Sequence, residues 1–77
     1  MEKIRVDKTL DIKGIQLTRL QELTRDTLEK MYSGQILRVI TDDMTTKNTI
    51  PSLCDTNGYI LIEIEEDGEI IYFTIKK

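Results

Sequence analysis

The sequence has few or none of several residue types that common catalytic sites need. It contains no histidine and no tryptophan, and only one cysteine, one proline and four glycines in 77 residues. Without histidine a Ser-His-Asp triad cannot form, and four scattered glycines do not make a phosphate-binding loop. A single cysteine excludes an internal disulfide, and no run approaches the roughly 18 to 20 apolar residues that span a bilayer. The sequence therefore argues against enzyme activity and against a membrane protein.

The length and the first residues set the expected organisation. A chain of 77 residues has room for one core, so we expect a single domain over residues 1–77. The first ten residues alternate charged and apolar positions, unlike the apolar run of a secretory signal. With no disulfide to suggest an oxidising compartment, we expect a cytoplasmic location.

The charge balance is acidic, with a net charge of −3. Binding of a phosphate backbone needs clustered Lys and Arg, and here these residues are scattered, so we expect no direct nucleic-acid binding. The densest charge run lies near the C-terminus and comprises Glu63, Glu65, Glu66, Asp67 and Glu69. We interpret this run as a solvated strand edge and turn. The alternative is a docking surface for a basic partner.

The first half of the chain predicts a strand and a helix. Apolar residues alternate with charged ones at Ile4, Val6 and Leu10, which favours a strand. A broad apolar stripe with helical spacing then follows at Leu17, Leu20, Leu23, Leu28 and Met31. Thr18 and Gln21 have the form of a capping box at the helix start. Gly34 is expected to end the helix in the left-handed conformation.

The second helix is predicted to follow a central strand. A short apolar run, rich in β-branched residues, favours that strand: Ile36, Leu37, Val39 and Ile40. Asp42 and Asp43 offer N-cap oxygens, an interpretation that we prefer to a metal site because no third ligand cluster accompanies them. We expect Pro51 in the first turn of the helix or at a kink. Gly58 is expected to end it.

The C-terminal region predicts a hairpin. Two runs of alternating apolar residues, 59–65 and 70–75, flank Asp67 and Gly68, a turn pair typical of two-residue hairpin loops. The predicted order is β-α-β-α-β-β, an α/β (α+β) two-layer sandwich with two helices on one face of a four-stranded mixed sheet. On the open face, we expect a candidate apolar strip of Leu61, Ile70 and Tyr72.

One segment resembles the fingerprint of a known family. Residues 10–20 read Leu10, Asp11, Ile12, Lys13, Gly14, Ile15, Gln16, Leu17, Thr18, Arg19 and Leu20. This resembles Leu-Asp-x-Arg-Gly-x-x-Cys-Pro-x-Pro, the fingerprint of the TusA/SirA family of sulfur-carrier (sulfurtransferase) proteins. Leu17 stands at the cysteine position, and the two prolines are replaced. Further pairs fall in the family's order: Ser33-Gly34, Asp42-Asp43, Ile50-Pro51 and Gly58-Tyr59, with Tyr59 where histidine is usual.

The resemblance implies a function, but the residue at the cysteine position cannot perform the family's usual chemistry. In the family, the cysteine at the start of helix one accepts sulfur from a cysteine desulfurase and passes it on through protein docking. Leucine has no lone pair to form a persulfide. We therefore expect a noncatalytic interaction module that binds a cysteine desulfurase or another sulfur-relay or redox protein. The expected docking residues are Asp11, Lys13, Gly14, Leu17 and Thr18, without a cofactor or metal.

Two other functions remain open at this point. Cys54 is the one candidate thiol for a relocated carrier, but a position late in a helix does not supply the lowered pKa that a carrier needs. We interpret Cys54 as a small core residue. The other alternative is a small-ligand or regulatory domain, since helix N-termini attract anions.

Overall fold

The computed structural model of the protein describes residues 5–77. Its elements in chain order are β1 (Lys8–Asp11), α1 (Leu17–Lys30), β2 (Ile36–Thr41), α2 (Thr46–Asn57), β3 (Ile60–Asp67) and β4 (Ile70–Lys76). The strands form a mixed sheet in the order β1-β2-β4-β3, with β1 parallel to β2 and the other neighbours antiparallel. The predicted element order and sheet are confirmed.

One face of the sheet carries the core. Leu37 and Val39 of β2 lie opposite Ile75 and Phe73 of β4, and all four side chains are fully buried. The helices cover this face with residues that are also buried: Leu20, Thr24 and Leu28 from α1, and Thr46, Ile50 and Cys54 from α2. Both helices thus pack on the same side, which confirms the two-layer sandwich.

The other face differs from the prediction in one residue. Leu61 of β3 lies opposite Ile75 and packs against the core, so placing Leu61 on the open face was wrong. The open face instead carries Ile40 and Tyr72 as cross-strand neighbours. A bulge lies between Leu61 and Glu63. Since successive side chains point to opposite faces, an extra residue in one strand changes which side chains share a face.

Strand β1 is shorter than its apolar pattern suggested. It begins at Lys8, so Val6 lies before the strand, and Ile4 lies outside the described residues. The chain before β1 is nevertheless tied to β2. Asp7 donates its backbone N–H to the Ile36 carbonyl at 2.9 Å, and its Oδ2 accepts the Ile36 N–H at 2.9 Å.

The start of α1 does not use the predicted capping box. The N-cap is Gln16, which makes no side-chain capping hydrogen bond within residues 5–77. Thr18 is already the second helical residue, so it cannot serve as the cap that the Thr18–Gln21 spacing suggested. The helix begins at Leu17, two residues before Arg19, where a cap at Thr18 would start it.

The end of α1 also differs from the prediction. The helix ends at Lys30, and Met31 leaves it in an extended conformation. Gly34 does have a left-handed φ of 89°, but in the turn that follows the helix. The helical carbonyl of Glu29 and that of Met31 accept hydrogen bonds from Lys77 Nζ, each at 2.7 Å. A cation therefore satisfies carbonyls at the negative end of the helix dipole.

Helix α2 is specified at both ends. Asp43 Oδ1 accepts hydrogen bonds from the Thr45 N–H at 2.9 Å and the Thr45 hydroxyl at 2.6 Å. Thr45 is the N-cap, so Asp43 orders the turn before the helix and is not the cap itself. At the other end Gly58 has a φ of 74° and the Tyr59 N–H reaches the Cys54 carbonyl at 2.8 Å. The predicted glycine stop is confirmed.

Pro51 lies in the interior of α2. It is the sixth residue of the twelve-residue helix, so of the two expected positions, the first turn or a kink, the first was wrong. A proline here has no N–H to give to the carbonyl of Lys47, four residues earlier. The helix therefore continues past a missing internal hydrogen bond because Ile50 and Cys54 anchor it in the core.

Candidate functional site

The loop between β1 and α1 is held in a defined shape. Ile12 is 2% exposed, and its N–H donates to the Ile40 carbonyl at 2.8 Å. Gly14 has a φ of 78°, a conformation that side-chain-bearing residues rarely adopt. The Gly14 N–H donates to Asp42 Oδ1 at 3.1 Å. A buried isoleucine and a carboxylate thus fix the loop from two sides.

Asp42 connects two loops and does not cap α2. Its carboxylate belongs to the β2–α2 connection and reaches back 28 residues to the β1–α1 loop. Because β1 and β2 are parallel, their C-terminal ends meet at the same edge of the sheet. The N-cap interpretation of Asp42 was therefore wrong. No local sequence pattern predicted this contact, because it depends on which strands are neighbours in the sheet.

The predicted charged residues of the loop lie at its surface. Asp11 Oδ1 accepts the Lys13 N–H at 3.3 Å, and Asp11 Oδ2 lies 3.4 Å from Lys13 Nζ. Both side chains are about half exposed, so the pair contributes little stability. The structure brings Asp11, Lys13 and Gly14 together in one exposed turn.

Apolar side chains accompany this turn. Leu17 is the first residue of α1 and is half-buried. Ile15 is 37% exposed in the same loop, and Met44 is 45% exposed in the connection that Asp42 joins to it. Exposed apolar groups beside polar ones are typical of a protein contact surface. Ile15 and Met44 were not among the predicted site residues, since isolated apolar residues in loops give no pattern.

Thr18 faces a different feature, a groove between the helices. The groove has a volume of about 660 Å³ and is lined by hydroxyl, amide and charged side chains with one leucine: Thr18, Gln21, Glu22, Arg25, Asn48, Thr49, Ser52, Leu53, Thr56 and Asn57. None of the other four predicted site residues lines it. The predicted site residues therefore divide between the loop and this groove.

Cys54 is a core residue. It lies in α2, is 2% exposed, and belongs to the buried cluster beneath the helices. Burial raises the pKa of its thiol from 9.0 to about 11. Low-polarity surroundings disfavour the thiolate, which is the form that attacks sulfur donors.

Residues 5–77 contain neither a metal-binding cluster nor a helix that could span a membrane. No group of three or more His, Cys, Asp and Glu residues in this part of the chain is arranged to hold a metal ion. Within the same residues, neither helix has the length and apolar content to cross a bilayer.

Comparison with known proteins places the chain in a family. Residues 8–77 match the family model described as "Sulfurtransferase TusA". A putative sulfur carrier protein of Aquifex aeolicus is 38% identical over the whole chain, which spans 39% of that longer protein. The putative sulfur carrier protein YrkI of Bacillus subtilis is 34% identical over 92% of the chain and 95% of its own length.

A solved structure supports the fold independently. The SirA-like protein from Desulfitobacterium hafniense superposes with a TM-score of 0.69 at 21% identity, covering 90% of this chain and 95% of that one. The sequence matches, together with the fold, confirm the predicted relationship. The chain belongs to the TusA/SirA family of sulfur-relay proteins.

Proposed function

We propose that this domain is a noncatalytic interaction module of the sulfur-relay type. The observation that carries the proposal is Leu17, which starts α1 at the position where the family fingerprint has its cysteine. The N-terminus of a helix favours a thiolate, but a leucine side chain offers no atom that can hold sulfur. The domain therefore has the loop and the helix start that form the family's site, but no nucleophile at that position.

Cys54 does not replace the missing nucleophile. A carrier thiol must reach a partner protein and must ionise near neutral pH. Cys54 is 2% exposed, and its pKa is raised to about 11 by burial. Both properties oppose a relocated carrier. The two relatives are named putative sulfur carriers, and this chain would differ from such a role in chemistry while sharing the fold.

The retained surface supports docking. The turn of Asp11, Lys13 and Gly14 is held by the Asp42 hydrogen bond at 3.1 Å, although no reactive thiol needs to be positioned there. Exposed Ile15 lies next to it in the chain. A fixed turn with exposed polar and apolar groups is pre-organised for a protein partner, since little ordering is needed on binding. The proposed partner is a cysteine desulfurase or another sulfur-relay or redox protein.

Binding to a purified cysteine desulfurase tests the proposal. Lys13→Glu and Ile15→Asp change exposed side chains of the loop, and each should weaken binding measured by calorimetry roughly tenfold. Lys76→Glu makes the same charge change at the opposite end of the sheet and should bind as the parent does. Cys54→Ser should also leave the affinity unchanged.

Two results would contradict docking through this loop. One is binding of the desulfurase that neither Lys13→Glu nor Ile15→Asp weakens; absence of any binding would exclude the desulfurase as the partner. The other is equal weakening by Lys13→Glu and Lys76→Glu, which would show that only net charge matters.

A further inference from the structure

Strand β3 forms an outer edge of the described sheet. It has eight residues, more than any other strand, and among residues 5–77 it pairs with β4 alone. Its other side therefore presents backbone N–H and C=O groups that can pair with another extended chain. Native edge strands are usually short or protected by charged side chains, proline or a bulge, and β3 carries both carboxylates and a bulge near its start.

The edge also carries exposed apolar side chains. Ile60, Ile62 and Ile64 are 56%, 37% and 40% exposed, and they are half of the six large exposed hydrophobic residues of the described chain. The bulge between Leu61 and Glu63 interrupts the first part of the strand. Beyond it the register with β4 is continuous from Glu63 to Asp67. This five-residue stretch, the β3 edge, is the part that suits strand addition.

The charge of the β3 edge indicates which kind of strand can bind there. Glu63 and Glu65 have no ion-pair partner among the described residues, whereas Glu66 pairs with Lys47 Nζ at 2.5 Å. A second copy of this chain would bring the same carboxylates face to face, which is unfavourable for directly opposed charges. A strand that alternates lysine or arginine with apolar residues complements Glu63 and Glu65 on one face and Ile64 on the other.

From these observations we propose that the β3 edge binds an extended, basic segment of a partner protein by strand addition. The backbone groups of β3 supply the pairing, and Ile64 with the carboxylates of Glu63 and Glu65 supplies the preference for alternating apolar and basic side chains. This surface is separate from the β1–α1 loop, so the inference does not depend on the proposed function.

The test uses the full chain and a synthetic peptide that alternates lysine and valine. Hydrogen exchange followed by NMR should show protection of the β3 amides that face away from β4 when this peptide is added. A peptide that alternates glutamate and valine should give no protection. N-methylation of every peptide residue should abolish the effect of the lysine peptide if backbone pairing is the contact, because it removes the N–H donors on both edges of the peptide.

Matched variants locate the contact. Glu63→Lys/Glu65→Lys should weaken binding of the lysine peptide roughly tenfold. Glu22→Lys/Asp26→Lys makes the same change of net charge on exposed positions of α1 and should bind as the parent does. Unchanged β3 protection, equal binding of the glutamate peptide, or equal weakening by both double variants would each overturn the proposal. The amide spectra of the variants establish that they remain folded.

Discussion

Asp42 shows how one side chain determines the shape of a loop that lies 28 residues away. Its Oδ1 accepts the Gly14 N–H at 3.1 Å, and Gly14 supplies the left-handed conformation that the turn needs. Asp42→Ala removes the acceptor and should lower the free energy of unfolding by about 1 kcal/mol. Urea denaturation measures that loss, and hydrogen exchange should show faster opening at Gly14.

The conservative variant separates the hydrogen bond from other effects of the substitution. Asp42→Asn keeps an acceptor oxygen at the same position and should recover most of the lost stability. If both variants unfold at the same urea concentration as the parent, Asp42 does not hold the loop.

Cys54 should make the free energy of unfolding depend on pH in the alkaline range. Its thiol pKa is raised to about 11 in the fold, against 9.0 when exposed, so the folded protein favours the neutral thiol. The resulting stability is fully present below pH 9.0 and is lost as the pH rises through about 11. Between these values the parent should lose up to about 3 kcal/mol more than Cys54→Ala does. Denaturation series of the two proteins at several pH values measure the difference.

The same burial should slow alkylation of the thiol. At pH 8 the folded protein should contain about a hundredfold less thiolate than the unfolded chain, because the two pKa values are 9.0 and about 11. Iodoacetamide should therefore react quickly only in denaturant. Rapid labelling of the native protein at pH 8 would contradict the buried position of Cys54.

Helix α2 illustrates a local preference that packing overrides. Pro51 is half-buried in the helix interior, where a proline costs roughly 3 kcal/mol relative to alanine in an exposed helix. Pro51→Ala should restore the hydrogen bond to the Lys47 carbonyl and raise the free energy of unfolding by about 1 to 2 kcal/mol. The gain is smaller than the helix cost because proline also restricts the unfolded chain.

Thermal unfolding compares this variant with a neighbour. Ser52→Ala changes an exposed residue of the same helix without affecting the backbone hydrogen bonds, and its Tm should move less than that of Pro51→Ala. A lower Tm for Pro51→Ala than for the parent would mean that contacts of the proline ring outweigh the missing hydrogen bond.

The sequence predicted which helices and strands form more reliably than it predicted where they begin and end, or which side chains share a face. Helical spacing from Leu17 and the Asp67-Gly68 turn gave α1 and the β3–β4 hairpin, because periodicity and turn residues act locally. The start of α1 was wrong because Thr18 fits a cap only if the helix begins after it. The face of Leu61 was wrong because a bulge has no local sequence mark.

The candidate site was partly predictable for the same reason. Asp11, Lys13, Gly14, Leu17 and Thr18 lie within eight consecutive residues, so a motif could group them, and the structure places the first three in one turn. Asp42 joins that turn only through the parallel pairing of β1 and β2. A contact between residues so distant in sequence depends on the sheet order, which local patterns do not contain.

At the scale of the whole molecule, the fold brings two loops and the start of α1 to one edge of the sheet. The parallel strands β1 and β2 lead into the loops that precede α1 and α2, and Asp42 joins these loops. Leu17 is the first residue of α1, and the single thiol, that of Cys54 in α2, is buried in the core. We propose that this member of a sulfur-relay family binds a partner protein but does not carry sulfur.

The most direct measurement is mass spectrometry of the native protein after incubation with a cysteine desulfurase and cysteine. The parent and Cys54→Ser should both show no added sulfur. Leu17→Cys combined with Cys54→Ser serves as the positive control, because its new thiol lies at a helix N-terminus, and it should gain one sulfur atom. A sulfur adduct on the parent that disappears in Cys54→Ser would contradict the account and establish Cys54 as a displaced carrier.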